Sequence, residues 1–376
     1  MPKINFKSEV LKRHLAIARI VKPETKDLSF TFSDKYLTIF SFDNRRYVCS
    51  RIPLVDHDIE DGWSSSEFYI TLDRISLFES ELTDISITVN DQSLTIVATD
   101  GEQSRKASLK KRSIKSRRPA VPRIPDVDFI DISTKDFVQL LNEVSCSAQV
   151  KETKTEEEMR INQVHFYPDS GHAISKSRYF GSISHLDGMS LDVSIVSNDI
   201  PLIKSFCSKV SSDIVKIGSD KSRHFILDPE TNSTLSLSKV SSKRPNLSLI
   251  DDDKFQTILV TDKDQLLKNL GWAQTAIEGT QRIKFKAHKI NDDGVGKVVL
   301  YNGNEEISNF TTLFSKGDSI DADFPVRYLY SIVRHVDGDV AFAFHHQEMK
   351  SVLGIFSATE EKTVKSTHYI SSMVSR

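Results

Sequence analysis

A short pattern that occurs three times constrains the fold of this chain more than any other feature. The segments DISITVN, DIVKIGS and DVAFAFH begin at residues 84, 213 and 339, so their spacing is close to one third of the 376-residue chain. Each segment follows a run with the apolar spacing of a helix, and each starts a series of strand-like runs. Matching spacing in three places predicts three similar domains in tandem.

Each third of the chain repeats the same order of elements. In the first third, one apolar stripe of a predicted helix has steps of three and four residues and consists of Leu72, Ile75, Phe78 and Leu82. Three strands separated by turn residues follow. A second predicted helix lies upstream in every third, and three strands follow it as well. Each third therefore contains two copies of a unit of one helix and three strands, which makes six such units in the chain.

Irregular segments separate the thirds. Residues 110–129 contain three prolines and no periodicity, and residues 243–253 lie at the second expected boundary. We predict an α+β fold in which two helices pack on antiparallel sheets in each domain. The predicted domains are residues 1–122, 123–250 and 251–376.

Composition indicates a cytoplasmic globular chain. Charged residues make up 27% of the sequence, no apolar run approaches the roughly 18 residues of a membrane helix, and the N-terminal residues lack the apolar region of a signal peptide. Cys49, Cys146 and Cys207 are too far apart for a CxxC metal pair and odd in number. We therefore predict buried free thiols, without a disulfide framework.

The sequence lacks the short motifs that mark common catalytic and cofactor sites. HExxH, GxxxxGK[ST], GxGxxG and GxSxG are all absent, and Ser184, His185 and Asp187 lie too close together for a catalytic triad. We predict a protein without enzymatic activity, cofactor or metal. A hydrolase with scattered catalytic residues is the enzymatic alternative.

A tandem repeat of this kind predicts a closed arrangement of domains. Similar domains at fixed spacing are related by a constant rotation, and free strand edges at the two ends of the array would be an aggregation risk that pairing removes. Head-to-tail pairing of two chains under a two-fold axis would hide these edges in a ring of six domains.

Basic residues on the predicted helices are candidates for the channel of such a ring. Many acidic residues lie in first turns, where the helix dipole favours them. A weakly basic lining would contact phosphates without sequence preference, and it is compatible with a formal net charge of −2. The alternative is that these residues form ordinary solvated helix faces. The candidates are Lys12, Arg13, Arg19, Arg74, Lys135, Lys204, Lys209, Lys263, Lys268, Arg327 and Arg334.

The order of elements, the three-fold repeat and the C-terminal runs FPVRYLYSIVRHV and HYISSMVSR resemble the bacterial DNA sliding clamp, the β subunit of replicative DNA polymerase. The resemblance covers the whole chain. It implies a processivity factor that encircles double-stranded DNA as a head-to-tail homodimer, is loaded by a clamp loader and tethers the DNA polymerase. The alternative is a monomeric three-domain scaffold that binds protein partners without encircling DNA.

The resemblance also implies a pocket for a short hydrophobic partner peptide between the second and third domains. Two segments depart from the family: SKSRYF replaces its usual TDGHRL, and SSMVSR replaces its MPMRL ending. Divergence of this extent favours a clamp encoded by a virus or mobile element. The positions that match the pocket are Ile161, Ser175, Arg178, Phe180, Pro245, Leu249, Ile250, Ile370, Met373 and Val374.

Overall fold

The structure is a computed structural model of the single chain. It describes residues 3–24, 26–33, 35–54, 57–58, 66–110, 126–147, 155, 159, 162–176, 180–242, 244–245, 255–277, 282–289, 294–347, 350–358 and 364–371.

The α-helices of the described ranges bury one apolar stripe each. On the first helix, Leu11, Leu15 and Ala18 are fully buried and recur at steps of four and three residues, as the sequence pattern predicted. Pro201 lies in the first turn of the third helix, where its missing N–H is tolerated. The helices are α1 Ser8–Ala18, α2 Thr134–Val144, α3 Ile200–Lys209, α4 Lys263–Ala276 and α5 Val326–His335.

The helix predicted from residue 72 onward is a 3₁₀ helix that spans Leu72–Phe78. Its apolar residues Leu72, Ile75 and Phe78 recur every three residues, which is the period of a 3₁₀ helix. Ile75 and Phe78 are buried, so the predicted stripe does face the core. Shorter 3₁₀ turns span Ser145–Ser147 and Ser197–Asp199.

The strands follow the predicted order of three after each helix, with additional strands before the helices. They are β1 Lys3–Lys7, β2 Asp27–Phe32, β3 Tyr36–Phe42, β4 Arg46–Pro53, β5 His57–Asp58, β6 Ser66–Thr71, β7 Asp84–Val89, β8 Ser93–Thr99, β9 Ser104–Lys110, β10 Phe129–Ser133, β11 Gln163–Tyr167, β12 His172–Lys176, β13 Phe180–Leu186, β14 Ser194–Val196, β15 Ile214–Ser219, β16 Arg223–Asp228, β17 Ser233–Ser238, β18 Thr257–Thr261, β19 Arg282–Lys289, β20 Gly296–Asn302, β21 Glu305–Thr311, β22 Phe314–Lys316, β23 Ile320–Pro325, β24 Val340–Gln347, β25 Lys350–Ser357 and β26 Val364–Ser371.

The chain divides into two compact units, of which the first contains residues 1–135 and 201–239. This unit has a five-stranded sheet in the order β5-β1-β7-β8-β9 and an eight-stranded sheet in the order β10-β15-β16-β17-β4-β3-β2-β6. Its main apolar core joins side chains of both sheets to α1 and the 3₁₀ helix, for example Leu15, Phe30 and Ile87. The helices are therefore buried against sheet faces, as the α+β prediction requires.

The second unit contains residues 136–200 and 240–376. It has a nine-stranded sheet in the order β14-β11-β12-β13-β26-β25-β24-β18-β22 and a four-stranded sheet in the order β21-β20-β19-β23. Its apolar core contains Leu266 of α4, Leu329 of α5 and the strand residues Phe285 and Phe342. The two rings pack edge to face with centroids 5.8 Å apart.

Two antiparallel strand pairs join halves that the sequence assigned to different domains. In the first unit, β17 pairs with β4, with Leu235 opposite Val48. In the second unit, β13 pairs with β26, with Ser182 opposite His368. We call β4–β17 and β13–β26 the junction pairs. Because sheets continue across them, each large sheet consists of two halves joined edge to edge, and the domain boundaries drawn from sequence stay a prediction.

Buried polar side chains link the strands of the first junction pair. The Oγ atoms of Ser50 on β4 and Ser233 on β17 are 2.7 Å apart, and Nδ1 of His14 on α1 lies 2.7 Å from Ser50 Oγ. Burial, together with the neighbouring Arg13 charge, lowers the pKa of His14 to about 4. The imidazole is therefore neutral at pH 7 and serves as a hydrogen-bond partner without the cost of a buried charge.

The second junction pair is linked in a similar way. The Oγ atoms of Ser184 on β13 and Ser366 on β26 are 2.8 Å apart. Nδ1 of His368 lies 2.8 Å from Ser182 Oγ and 3.2 Å from Cys146 Sγ. None of the three cysteines forms a disulfide bond; Cys49 and Cys207 are buried as predicted, whereas Cys146 is half-buried.

Candidate functional site

The basic residues of the first unit lie on or beside its helices, away from the buried stripes. Arg19 directly follows α1 and is exposed, and its Nη1 lies 2.7 Å from Glu79 Oε1 at the end of the 3₁₀ helix. Lys12 and Arg13 on α1 are half-buried, and so is Lys204 on α3. The exposed members of the set in this unit are Arg19, Arg74, Lys135 and Lys209.

Lys135 is positioned at the beginning of α2 by backbone contacts. The Thr134 N–H donates to Asp213 O at 2.8 Å, and the Thr134 hydroxyl donates to Ser212 O at the same distance. These bonds hold the start of α2 beside the segment that follows α3. Lys209 is the last residue of α3. Lys135 therefore follows a residue that is bonded to the segment after Lys209.

In the second unit, α4 and α5 carry four of the candidates: Lys263, Lys268, Arg327 and Arg334. The Lys263 ammonium donates to the carbonyl oxygen of Arg334 at 3.3 Å and also to that of Val336. A cation at the C-terminal end of α5 is favoured by the helix dipole, so Lys263 has a structural role in addition to its charge. The side chains of Lys268, Arg327 and Arg334 are exposed.

Arg334 also contacts an aromatic ring. Its guanidinium carbon lies 5.9 Å from the centre of the Tyr330 ring, one helical turn earlier on α5. This contact restrains the guanidinium on the outer face of the helix. The face opposite the buried residues Leu329 and Val333 is therefore basic and aromatic, and its geometry suits phosphate contacts that do not depend on sequence.

Three of the ten predicted pocket residues have described side chains, namely Ser175, Pro245 and Ile370. Ser175 is fully buried, and its hydroxyl donates to the carbonyl oxygen of Val144. Ile370 is fully buried in the core of the second unit. Phe180 lies in β13 directly opposite Ile370 on β26, which puts both positions at the second junction pair. The positions outside the described residues are Ile161, Arg178, Leu249, Ile250, Met373 and Val374.

Sequence reasoning missed the residues that hold the segment around Pro245. The Tyr167 hydroxyl donates to Pro245 O, and the Arg244 guanidinium carbon lies 5.7 Å from the centre of the Tyr167 ring. Arg244 also forms an ion pair with Asp192. Burial raises the pKa of Tyr167, so its hydroxyl remains a donor at neutral pH. Pairings so distant in sequence leave no signal in periodicity.

Gln163 fixes the beginning of the same segment. Its Nε2 donates to Val240 O and Met159 O, each at 3.0 Å, and its Oε1 accepts from the Ser242 hydroxyl at 3.0 Å. Gln163 is buried on β11, so its amide is satisfied entirely by these neighbours. Two residues of β11, Gln163 and Tyr167, thus hold Val240, Ser242 and Pro245 beside this strand.

Membrane-spanning helices and metal clusters are both absent from the described ranges. None of the helices there is long and apolar enough to cross a membrane. Among the same residues, no group of three or more histidine, cysteine, aspartate or glutamate side chains is arranged to hold a metal ion.

The repeated unit of one helix and three strands, joined edge to edge at the junction pairs, defines the fold of the sliding clamps, and the resemblance predicted from sequence is confirmed at the level of fold. No family model and no curated protein matches the chain. Solved bacterial structures do match it over its whole length.

The structure of the DNA polymerase III β chain from Streptococcus pneumoniae TIGR4 matches with a TM-score of 0.77 and 14% identity, covering 100% of both chains. The β subunit from Thermotoga maritima matches with a TM-score of 0.76 and 12% identity, again over 100% of both. The DNA polymerase III subunit β from Pseudomonas aeruginosa matches with a TM-score of 0.75 and 16% identity, covering 99% of this chain and 100% of that one. Identities this low fit the predicted divergence.

Proposed function

We propose that this chain is a DNA polymerase processivity factor, a sliding clamp that closes around duplex DNA as a head-to-tail dimer. One observation carries the proposal. Each large sheet joins two halves through a junction pair, whereas two halves are not joined to another half within the described residues: β1-β7-β8-β9, which ends at β9, and β23-β19-β20-β21, which ends at β21. Pairing β9 of one copy with β21 of another would repeat the junction twice and close a ring.

The chemistry of the two edge strands supports this pairing. β9 contains Arg105, Lys106 and Lys110, whereas β21 begins with Glu305 and Glu306. Opposite charges on facing strands attract, and like charges on each edge oppose pairing of β9 with β9 or of β21 with β21. Two long strand edges left open in solution would otherwise favour aggregation.

An exposed tryptophan supports the same interface. Trp272 on α4 is 66% exposed, and it lies three residues after Asn269, whose side chain contacts Ser308 on β21. Residues three apart share a helix face, so Trp272 projects on the side of α4 that faces the edge strand. A large apolar side chain beside an open strand edge is typical of a protein–protein interface.

In the closed ring, the basic helix residues would face the DNA. Lys268, Arg327 and Arg334 on α4 and α5, together with Arg74 and Lys209, would contact phosphates through charge alone. Topological closure would then retain the protein on DNA, so each contact need contribute little and the ring could slide. Partner proteins such as the polymerase would bind through an apolar peptide at the junction of β13 and β26.

The first test is solution mass. Analytical ultracentrifugation of the full chain should give a species of twice the 42.5 kDa chain mass, and raising the salt concentration should shift it toward monomer because charged edges are screened. A monomer at low salt and high protein concentration would support the alternative of a three-domain scaffold.

The second test is topological. Chains dissociated at high salt are mixed with nicked circular plasmid, the salt is lowered so that rings close, and the DNA is isolated by gel filtration. The protein should stay with the circle and leave when a restriction enzyme linearises it, because a ring slides off free ends. Equal retention on circular and linear DNA would exclude encirclement.

The peptide pocket is tested separately. Fluorescein-labelled short peptides with adjacent leucine and phenylalanine anchors are titrated with the full chain, and polarisation is recorded. Tyr167→Phe, which removes the bond to Pro245, should weaken binding if the attached segment forms one wall of the pocket. The exposed Lys297→Ala provides the control, and an equal effect of both substitutions would contradict this location.

A further inference from the structure

The two junction pairs share a detail that extends to the free edge of β21. In each pair, two serine hydroxyls face each other across the strands: Ser50 and Ser233 at 2.7 Å, and Ser184 and Ser366 at 2.8 Å. Ser50 on β4 lies directly opposite Ile39 of β3, and Ser184 on β13 lies directly opposite Ala173 of β12. In both cases the strand is the third one after a helix. The junctions therefore follow one register.

Ser308 occupies the corresponding place on β21. It lies opposite Leu300 of the preceding strand, as Ser50 lies opposite Ile39. Its hydroxyl bonds to the side chain of Asn269, which is the seventh residue of α4, just as His14, the seventh residue of α1, contacts Ser50. The helix-to-serine contact of the first junction thus has a counterpart on β21 in the single chain.

The partner position on β9 follows from the strand registers. Ile217 of β15 lies opposite Ile226 of β16, which lies opposite Leu235 of β17. In the same way, Phe342 of β24 lies opposite Ile355 of β25, which lies opposite His368 of β26. On the five-stranded sheet, the corresponding opposite residues are Ile87 of β7, Ile96 of β8 and Ala107 of β9. Ala107 therefore corresponds to Leu235 and His368.

Counting back two residues from each of these positions gives the serine of each junction. Ser233 precedes Leu235 by two residues and Ser366 precedes His368 by two, so the corresponding residue of β9 is Arg105. Residues two apart on a strand share a sheet face. Arg105 is exposed and lies on a strand at the end of its sheet. Ser233 and Ser366, to which it corresponds, lie on strands that are paired on both sides.

Resting on the proposed dimer, we infer that β9 of a second copy pairs antiparallel with β21 in the register that places Arg105 opposite Ser308. The arginine replaces the second serine of the other junctions. Its guanidinium, a donor only, is within reach of Ser308 Oγ and the Asn269 side-chain oxygen. The same register sets Glu305 and Glu306 opposite the stretch between Lys106 and Lys110, so the unlike charges of the two edges meet.

A cross-linking experiment tests the register. The full chain carries Arg105→Cys and Ser308→Cys in a background in which half-buried Cys146 is replaced by serine. Oxidation should give a covalent dimer on a non-reducing gel, because directly opposite strand residues approach within disulfide distance. A matched variant with Lys106→Cys and Ser308→Cys should cross-link much more slowly, because Lys106 points to the other sheet face.

A charge exchange gives an independent readout. Arg105→Glu should weaken dimerisation by about ten-fold or more, since it adds a like charge to the acidic edge, and Ser308→Arg in the same chain should restore much of the loss. Lys297→Glu, on the neighbouring strand β20, is the control and should have little effect.

Different experimental outcomes would refute the proposed dimer and the proposed strand register. If the unmodified chain is a monomer under all conditions, the proposed dimer is wrong. If it is a dimer but the Lys106 variant cross-links faster than the Arg105 variant, or if Ser308→Arg brings no recovery, the register is wrong and the dimer stands.

Discussion

Acidification should destabilise the second unit through His368, and asparagine at this position should remove a defined part of that effect. His368 is buried on β26, with Nδ1 2.8 Å from Ser182 Oγ. Burial, and to a smaller extent His335, lower its pKa from 6.5 to about 3. The folded state therefore binds this proton less readily than the unfolded state, and stability is lost as pH falls from 6.5 toward 3.

The size of the effect follows from the shift. One pKa unit corresponds to about 1.4 kcal/mol, so at about pH 4.5, some two units below the ordinary value, His368 alone should reduce the free energy of unfolding by about 3 kcal/mol. Burial likewise lowers the pKa of His165 to about 4, with a contribution from Arg244. His165 and His14 should therefore add acid sensitivity that remains when His368 is replaced.

Urea unfolding, followed by far-UV circular dichroism between neutral pH and about pH 4.5, compares the parent chain with His368→Asn. Asparagine keeps a hydrogen-bonding group near Ser182 but cannot take up a proton. The difference in unfolding free energy between the two proteins should shrink by about 3 kcal/mol across this range. His288→Asn, on the exposed position of β19, is the control. Parallel pH profiles for parent and His368→Asn would refute the reasoning.

Three further substitutions test packing and local geometry by the same unfolding assay. Gly317→Ala should be more destabilising than Gly303→Ala. Both glycines have positive φ, which costs an alanine about 1 kcal/mol, but only at Gly317 would the new Cβ lie 2.1 Å from a backbone oxygen. Equal losses of unfolding free energy would contradict this close approach. Asp262→Ala should cost about 1 kcal/mol, because the carboxylate accepts from the Gln265 N–H at the start of α4, and asparagine should recover most of it. Leu270→Ala should cost about 2–5 kcal/mol as a fully buried core residue; a loss below about 1 kcal/mol would place Leu270 outside the core.

Sequence reasoning recovered the fold where periodic patterns carried the information. The stripes on α1, α2 and α4 and the three-strand series after each helix lie where predicted, because amphipathic faces must be buried against sheets. The 3₁₀ helix at Leu72–Phe78 differs from expectation, because apolar residues spaced by three fit the tighter period.

The candidate site was predicted less completely. The basic residues could be read from the helices, but their surroundings could not: the bond of Lys263 to Arg334 O and the ion pair of Arg19 with Glu79 join residues about sixty or more positions apart. The contacts of Tyr167 and Gln163 with residues 240–245 were missed for the same reason. The channel and pocket assignments remain predictions.

The sequence by itself determined the repeat, because an apolar face recurring at fixed spacing is a local property of the chain and forces the same element each time. Only the tertiary structure decided which sheet halves are joined by strand pairing and which edge strands are not. A strand can pair with partners that are distant in sequence, and the partner that it takes depends on how well the two strand edges match. Serine faces serine at the two junctions, whereas the charged strands β9 and β21 have no strand paired to their outer edges within the described part of the chain. The charges of these two strands are opposite, and the proposed pairing between copies rests on this property.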